Sequence, residues 1–347
     1  MANIHSIQYL RGLAALAVVC FHVSEAFSGP FSVGAAGVDV FFVISGFIMW
    51  VTTSGRPPDP LRFIGRRITR IVPLYWIVTM LTSVAILLRP RFFYDHVLNV
   101  LNFFGSLFFV PVLEKGMPHP VVLQGWTLTY EMMFYLLFAL TLVLDERRRF
   151  GALIGLLVAL SALHFLLPAG YARVLTRSLV LEFAAGVVIG RLWMEDFRLP
   201  LKVALALLCA GFLLLAATEF VGSEVTRVLR WGVPATLIVA GAVFAERARP
   251  FEPVRLFTFL GEASYSIYLW HVLVVVAMTA LALTLHVPAK LQPALIIFAS
   301  ATLSALLYLA IEKPLIRLLH STGSRKAGHA KLPAQAQSKE RSRAPVA

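Results

Sequence analysis

Long apolar runs recur along almost the whole chain, and they constrain its fold more than any other feature. Leu201 to Phe220 and Leu291 to Ile311 are two examples, each long enough to cross the hydrocarbon core of a bilayer as a helix. Hydrophobic residues make up 59% of the 347 residues and charged residues only 14%. The core of a soluble protein of this length could not bury so many apolar residues. The sequence therefore predicts an all-α integral membrane protein.

The apolar windows predict a bundle of about ten transmembrane helices. These cover residues 7–27, 34–53, 71–88, 125–144, 151–168, 177–194, 201–220, 230–246, 257–283 and 291–312. A further apolar run, residues 96–112, would place the basic residues Arg147 to Arg149 across the membrane from Arg56 to Arg70 if it crossed fully. Because basic loops favour the cytoplasmic side, we predict that this run is re-entrant or interfacial.

Ten spans place both termini in the cytoplasm, and we predict a multi-pass protein of the bacterial inner membrane. Residues 1–320 form the predicted membrane domain, and residues 321–347 are predicted to be a disordered, basic cytoplasmic tail. The net charge of +13 sits in clusters beside apolar runs, which indicates topology signals and no nucleic-acid partner. Cys20 and Cys209 have no spacing typical of a disulfide or metal site, and no metal is predicted.

Ionisable residues inside predicted spans are costly in lipid, so they are the first candidates for function. Arg11 and His22 lie eleven residues apart, which places them on one helix face about 16 Å apart along the axis. The predicted directions of the spans bring Asp39 and Glu131 near the depth of His22. This pattern favours His22 as a proton acceptor that Asp39 or Glu131 orients. The alternative is a core histidine satisfied by a neighbour.

Two helical stripes of polar residues lie in other spans. Ser264, Tyr268 and His271 are spaced four and three apart, and Glu131 and Tyr135 are four apart. Such stripes serve either interhelical hydrogen bonding or substrate contact. The residues predicted to contact or support a substrate are Ser45, Trp126, Ser264, Tyr268 and His271.

An arginine cluster precedes the third span, in the segment FIGRRITRIVPLYW. It places Arg62, Arg66 and Arg70 on one face of a helix, with Arg67 close by. Arginine forks suit phosphate oxygens, so the cluster would attract a phosphate-bearing donor such as a coenzyme A thioester. The alternative is anchoring to anionic lipid headgroups. The predicted donor-binding residues are Arg66, Arg67, Arg70 and Tyr75.

Six segments carry a resemblance to a known family. In chain order they are IQYLRGLAALAVVCFH, GVDVFFVISGFIMW, RRITRIVPLYW, WTLTYEMMFY, FLGEASYSIYLWH and IEKP. They resemble the motifs of acyltransferase family 3, a family of integral membrane proteins, over residues 6–314. The opening is similar to that of the succinoglycan-type exopolysaccharide acetyltransferases. One departure is QYLRG in place of the commoner DGLRG, so no acidic residue immediately precedes Arg11.

The resemblance implies a ten-helix membrane domain and an activity signature at Arg11 and His22, an arginine and a histidine separated by ten residues. It further implies a cytoplasmic acyl-CoA donor, usually acetyl-CoA, with no permanently bound cofactor. The implied acceptor is a hydroxyl of a carbohydrate, either a polysaccharide or a lipid-linked oligosaccharide. The sequence predicts no particular oligomeric state.

These inferences combine into one mechanism. The arginines would hold the phosphates of CoA, and His22 would deprotonate the sugar hydroxyl as it attacks the thioester. An acyl-histidine intermediate would use the same residue, so both routes stay open. Two other functions stay open as well: a proton-coupled secondary transporter, and a non-catalytic scaffold of polysaccharide export.

Overall fold

The computed structural model describes residues 4–57, 59–90, 98–110, 112–114, 117–218 and 227–319. Its regular structure is helical apart from one short antiparallel pair, β1 (Leu113–Glu114) and β2 (Met117–Pro118). The predicted all-α class is therefore confirmed. The predicted tail, residues 321–347, lies outside the described residues.

Twelve α-helices follow one another along the described chain. They are α1 (His5–Ala26), α2 (Gly37–Thr53), α3 (Pro60–Leu88), α4 (Val100–Leu107), α5 (Gly125–Thr141), α6 (Glu146–Leu163), α7 (Tyr171–Leu175), α8 (Val180–Met194), α9 (Leu201–Ala217), α10 (Val233–Ala248), α11 (Arg255–Thr284) and α12 (Gln292–Leu307). A 3₁₀ turn, Val33–Ala36, leads into α2. Two π turns, Val228–Gly232 and Tyr308–Glu312, precede α10 and follow α12.

Six helical segments are long and apolar enough to cross a membrane: residues 5–26, 33–53, 60–88, 228–248, 255–284 and 292–319. The chain is therefore a multi-pass membrane protein. The other four predicted spans also coincide with helices, but α5, α8 and α9 have only 17, 15 and 17 residues. Helix α6 begins with four charged residues, Glu146 to Arg149. The count of ten spans stays a prediction.

The segment predicted to be re-entrant or interfacial, residues 96–112, contains α4. This helix has eight residues and is about 12 Å long at 1.5 Å per residue, too short to cross a bilayer core. It is tied to its surroundings by hydrogen bonds, since Trp76 Nε1 donates to the carbonyl of Leu107 at 2.9 Å. Asn102 Nδ2 also donates to the carbonyl of His119 at 3.0 Å. Its placement in the membrane stays a prediction.

Helices α1 and α11 pack closely and in parallel. A Cβ atom added to Gly261 would lie 2.2 Å from the carbonyl oxygen of Gln8, and one on Gly12 would lie 2.8 Å from Cβ of Leu260. Small residues allow such close approach between membrane helices. This contact lies near the start of both helices. Because the helices are parallel, residues that follow the contact by the same number of positions also lie close together.

Two further helix pairs have directions that their side-chain and backbone contacts define. Helices α3 and α5 run in opposite directions, since Phe63 stacks on Phe138 at 5.2 Å while Arg67 lies 5.8 Å from the ring of Tyr135. Helices α2 and α8 run in the same direction and touch at Gly186, where an added Cβ would meet the carbonyl of Val43 at 1.9 Å. These contacts define the relative directions of the two helix pairs.

Candidate active site

A cavity of about 330 Å³ lies among helices α1, α2, α3, α5 and α11. Three arginines and one carboxylate line it: Arg11, Arg67, Arg70 and Glu131. The uncharged polar residues of its wall are Gln8, Ser45, Thr127, Tyr135, Ser264, Tyr265 and Tyr268. Guanidinium groups that converge on an enclosed space bind phosphate oxygens well, so the cavity suits an anionic ligand.

Arg67 lies between aromatic rings of α3 and α5 at the cavity wall. Its Cζ lies 5.7 Å from the ring centroid of Phe63 and 5.8 Å from that of Tyr135. Its buried Nε has no hydrogen-bond partner among the described residues. A buried donor without a partner is costly, and an anion in the cavity would satisfy it.

The arginines of the cluster predicted from the sequence lie on different faces of α3, and only some of them face the cavity. Arg67 and Arg70 both face the cavity, because residues three apart share one helix face. Arg66 is exposed and does not line the cavity, so the prediction that it joins the donor site is not supported by its position. Arg62 pairs with Asp59 at 3.2 Å at the start of α3. Arg11 from α1 supplies the third guanidinium instead.

Glu131 is held by two hydroxyl groups. Ser45 Oγ donates to Glu131 Oε1 at 2.8 Å, and the hydroxyl of Tyr135 donates to the same oxygen in a short hydrogen bond. The predicted stripe of Glu131 and Tyr135 is thus confirmed as a contact. Because Ser45 belongs to α2, these bonds tie α2 to α5 at the cavity wall.

Tyr268 and Ser264 line the same cavity from α11. The Tyr268 hydroxyl pairs with Thr127 Oγ1 at 2.8 Å and reaches the carbonyl of Gln124 at 3.2 Å. Ser264 Oγ donates to the carbonyl of Gly261 at 2.8 Å, within its own helix. The predicted interhelical hydrogen bonding therefore holds for Tyr268 but not for Ser264.

His22 lies outside the described lining of the cavity, beyond its Tyr268 end. Its Nδ1 is 3.4 Å from Glu25 Oε2, and its side chain is 23% exposed. Its ring centroid is 5.1 Å from that of His271, whose ring in turn lies 5.9 Å from that of Tyr268. A line of rings therefore leads from the cavity to His22.

Asp39 and Glu131, the carboxylates predicted to orient His22, have other hydrogen-bond partners in the structure. Asp39 is fully buried and forms a two-point ion pair with Arg227, with oxygen–nitrogen distances of 3.1 and 2.7 Å. A buried carboxylate requires a charged partner, and Arg227 supplies it. Glu131 is held by hydroxyl groups at the cavity, and Glu25 takes the carboxylate position beside His22.

The chain matches a known family over most of its length. Residues 4–311 fit the model of the family Acyl_transf_3, described as an acyltransferase domain. The chain belongs to this family. The resemblance predicted from the six segments is confirmed, and the protein is a membrane acyltransferase.

Curated proteins similar to this acyltransferase include the exopolysaccharide production protein ExoZ of Rhizobium meliloti (strain 1021). The two are 39% identical over 307 residues, covering 86% of this chain and 94% of ExoZ. The acyltransferase MdmB of Streptomyces mycarofaciens is 26% identical, covering 79% and 80% of the two chains. YrhL of Bacillus subtilis (strain 168), provisionally named a peptidoglycan O-acetyltransferase, is 28% identical, covering 88% of this chain but 54% of YrhL. No solved structure matches the chain.

Tyr75 and Trp126, two further predicted site residues of the acyltransferase, also do not line the cavity. Tyr75 is buried and stacks on Phe109 at 5.1 Å, so its predicted part in donor binding has no contact in support. Trp126 packs against Arg227, whose Cζ lies 5.4 Å from the Trp126 ring and 4.6 Å from the Trp231 ring. Trp126 therefore belongs with the Asp39 ion pair.

Sequence reasoning missed three charged residues of the acyltransferase interior. Arg227 precedes the span predicted at residues 230–246, so a search for charges inside predicted spans does not reach it. Glu182 and Glu312 are buried inside predicted spans, and Glu312 accepts a hydrogen bond from Ser266 Oγ at 2.7 Å. The rule that selected Asp39, an acidic residue within an apolar run, would have found both glutamates.

Proposed function

We propose that this acyltransferase moves an acyl group, acetyl by the habit of the family, from cytoplasmic acyl-CoA to a hydroxyl of an envelope or exopolysaccharide sugar. The observation that carries the proposal is the cavity lined by Arg11, Arg67 and Arg70 in a chain of the acyltransferase family. CoA presents several phosphate groups, and guanidinium forks bind such groups with paired hydrogen bonds.

The direction of the helices supports a cytoplasmic donor. Arg11 is the seventh residue of α1. Arg67 and Arg70 are the eighth and eleventh residues of α3, which starts beside the basic residues from Arg56 onward. Basic loops favour the cytoplasm. The parallel pairs α1 with α11 and α2 with α8, and the antiparallel pair α3 with α5, agree with the directions that ten spans require. The protein would thus be an inner-membrane enzyme with both termini in the cytoplasm.

In the proposed reaction the CoA phosphates contact the cavity arginines, and the thioester extends toward Tyr268. The sugar hydroxyl gives its proton to His22 and attacks the carbonyl carbon, forming the ester C–O bond. The C–S bond breaks, and the proton passes from His22 to the departing sulfur, which leaves as the CoA thiol. An acyl-histidine route would use His22 as nucleophile and release the same products.

The acceptor is proposed from the position of His22 and from the relatives. His22 lies near the end of α1 opposite Arg11, and its side chain is partly exposed there. An acceptor would therefore approach from the outer side while the donor approaches from the cytoplasm. ExoZ is named for exopolysaccharide production, which favours a polysaccharide or a lipid-linked oligosaccharide as the acceptor.

The full-length chain in lipid nanodiscs, with radiolabelled acetyl-CoA and chemically de-esterified surface polysaccharide of the host, tests this proposal. We expect label to appear in the polysaccharide as an alkali-labile ester, with release of free CoA thiol. The variant Arg67→Ala should lose most of this transfer, whereas Arg66→Ala, on the exposed side of the same helix, should retain it. CoA-independent substrate uptake by vesicles, without ester formation, would instead support a transporter.

A further inference from the structure

His271 is a fully buried histidine whose tautomer is set by the backbone. Its Nδ1 lies 2.6 Å from the carbonyl oxygen of Tyr268 and 3.2 Å from that of Ile267. A neutral imidazole carries one N–H, and a nitrogen beside two carbonyl oxygens must be the donor. The other nitrogen, Nε2, therefore holds a lone pair and can only accept a hydrogen bond.

That lone pair is unused in the described structure. His271 Nε2 is buried and has no hydrogen-bond partner among the described residues. Buried polar atoms of folded proteins are nearly always paired, so an unpaired acceptor beside a functional residue calls for a reason.

The neighbour of His271 is His22. Their ring centroids lie 5.1 Å apart, and the ring planes differ by 34°. The contact between Gly12 and Gly261 comes ten residues earlier on both helices, so the packing of α1 on α11 fixes this distance. His22 also has Glu25 beside it, with Glu25 Oε2 3.4 Å from Nδ1. His22 thus has both a carboxylate and an unpaired acceptor as neighbours.

We propose that His271 is a positioning residue for His22: its Nε2 accepts a hydrogen bond from His22 once His22 has taken the proton of the acceptor hydroxyl. This rests on the proposed acyl transfer. The hydroxyl proton moves to one ring nitrogen of His22, and the N–H of the other ring nitrogen of the resulting imidazolium donates to His271 Nε2. The ester C–O bond forms, the C–S bond breaks, and the proton leaves His22 for the CoA sulfur. His271 gains no net proton, so it acts only through His22.

Two substitutions separate this role from a purely structural one. His271→Gln places an amide group near the position of Nε2 and can still accept there, but it loses the donor at Nδ1. His271→Asn keeps an N–H donor near Nδ1 for the Tyr268 carbonyl, but it has no acceptor near Nε2. If activity depends on the hydrogen bond to the backbone carbonyl, His271→Asn should retain more acetyl transfer than His271→Gln. If activity depends on the Nε2 acceptor, His271→Gln should retain more.

The test uses the full-length chain in nanodiscs and the acetyl transfer assay. We expect His271→Gln to retain kcat within about tenfold and His271→Asn to lose about a hundredfold, the scale of proton-transfer catalysis, with KM for acetyl-CoA nearly unchanged. The double variant His22→Ala/His271→Asn should lose no more than His22→Ala, because His271 acts through His22. Full activity in Asn with loss in Gln would overturn the inference. Wild-type transfer and its loss in His22→Ala check the proposed function in the same assay.

A spectroscopic measurement tests the pairing without any activity. In protein labelled with ¹⁵N-histidine, the His271 Nε2 signal, identified by its absence in His271→Asn, should differ between the wild type and His22→Phe under acidic conditions. Hydrogen bonding to a ring nitrogen changes its ¹⁵N shift. The same His271 signal in both proteins would show that the two rings do not pair, whatever the outcome of the transfer assay.

Discussion

Arg227 and Asp39 form a two-point ion pair, although 188 residues separate them in the chain. The pair joins the first turn of α2 to the segment that leads into α10, and Trp126 packs on the Arg227 guanidinium. Asp39 is therefore placed to hold the bundle together next to the site and not to orient His22.

This relationship predicts a structural role for Asp39. Arg227→Gln should lower the free energy of unfolding by about 3 kcal/mol, because it leaves the buried Asp39 carboxylate without its charge partner. Thermal unfolding in nanodiscs measures the effect. The double variant Asp39→Asn/Arg227→Gln should unfold at a higher temperature than Arg227→Gln alone. If the double variant were stable but inactive, Asp39 would regain its place as a catalytic candidate.

The cavity arginines predict a specific pattern of donor binding. Arg67→Ala and Arg70→Ala should each weaken binding of acetyl-CoA about tenfold or more, a loss of at least about 1.4 kcal/mol each. The matched control is Arg66→Ala, whose side chain is exposed on the same helix. Calorimetric titration with acetyl-CoA and with its 3′-dephospho form measures this. Equal weakening by all three variants would indicate general charge attraction and no specific site.

The hydrogen bonds of Glu131 predict different effects for two replacements. Glu131→Gln keeps an oxygen that accepts from Ser45 and Tyr135, so stability should change little. Glu131→Ala leaves two hydroxyl groups without their acceptor and should cost about 1–3 kcal/mol for each one that stays buried and unpaired. Thermal unfolding compares them. Equal destabilisation by Gln and Ala would show that the negative charge of Glu131, and not its hydrogen bonds, is what the fold needs.

The glycine contact between α1 and α11 predicts a loss of activity from a residue far from the reaction. Gly261→Ala would place a Cβ 2.2 Å from the Gln8 carbonyl, which forces the helices apart and moves His271 away from His22. We expect lower thermal stability and lower transfer. Gly155→Ala in α6, where an added Cβ meets no atom within 4 Å, is the control and should stabilise the helix by roughly 0.5–1 kcal/mol. Normal activity in Gly261→Ala would show that the register of α1 and α11 is not required.

The positions of the helices followed from the sequence because hydropathy is a local property. The span predicted at 257–283 corresponds to α11, Arg255–Thr284, within two residues at either end. Helix α3 begins at Pro60, eleven residues before the predicted span at 71, because Asp59 caps it and Pro60 suits its first turn. The first turns of α3 carry several arginines, which lower the mean hydropathy of that segment. A hydropathy window therefore places the start of the span after them.

The sequence predicts which residues belong to the candidate site, but not which of their side chains contact each other. Depth along the predicted spans places Asp39, Glu131 and His22 together, and the family signature of an arginine and a histidine separated by ten residues selects Arg11 and His22. Depth does not specify the rotation of a helix, however, and rotation decides which side chains meet. Asp39 meets Arg227, whereas His22 meets His271, because the close packing of α1 on α11 sets that register.

The most direct test of the central claim is the O-acyl ester content of the surface polysaccharide in a host deletion strain that carries either the wild-type chain or His22→Ala at equal membrane abundance. We predict that the wild type restores the esters and that His22→Ala does not. Equal restoration by both would contradict the role of His22, and restoration by neither would contradict acyl transfer to the envelope and favour transport or a scaffold.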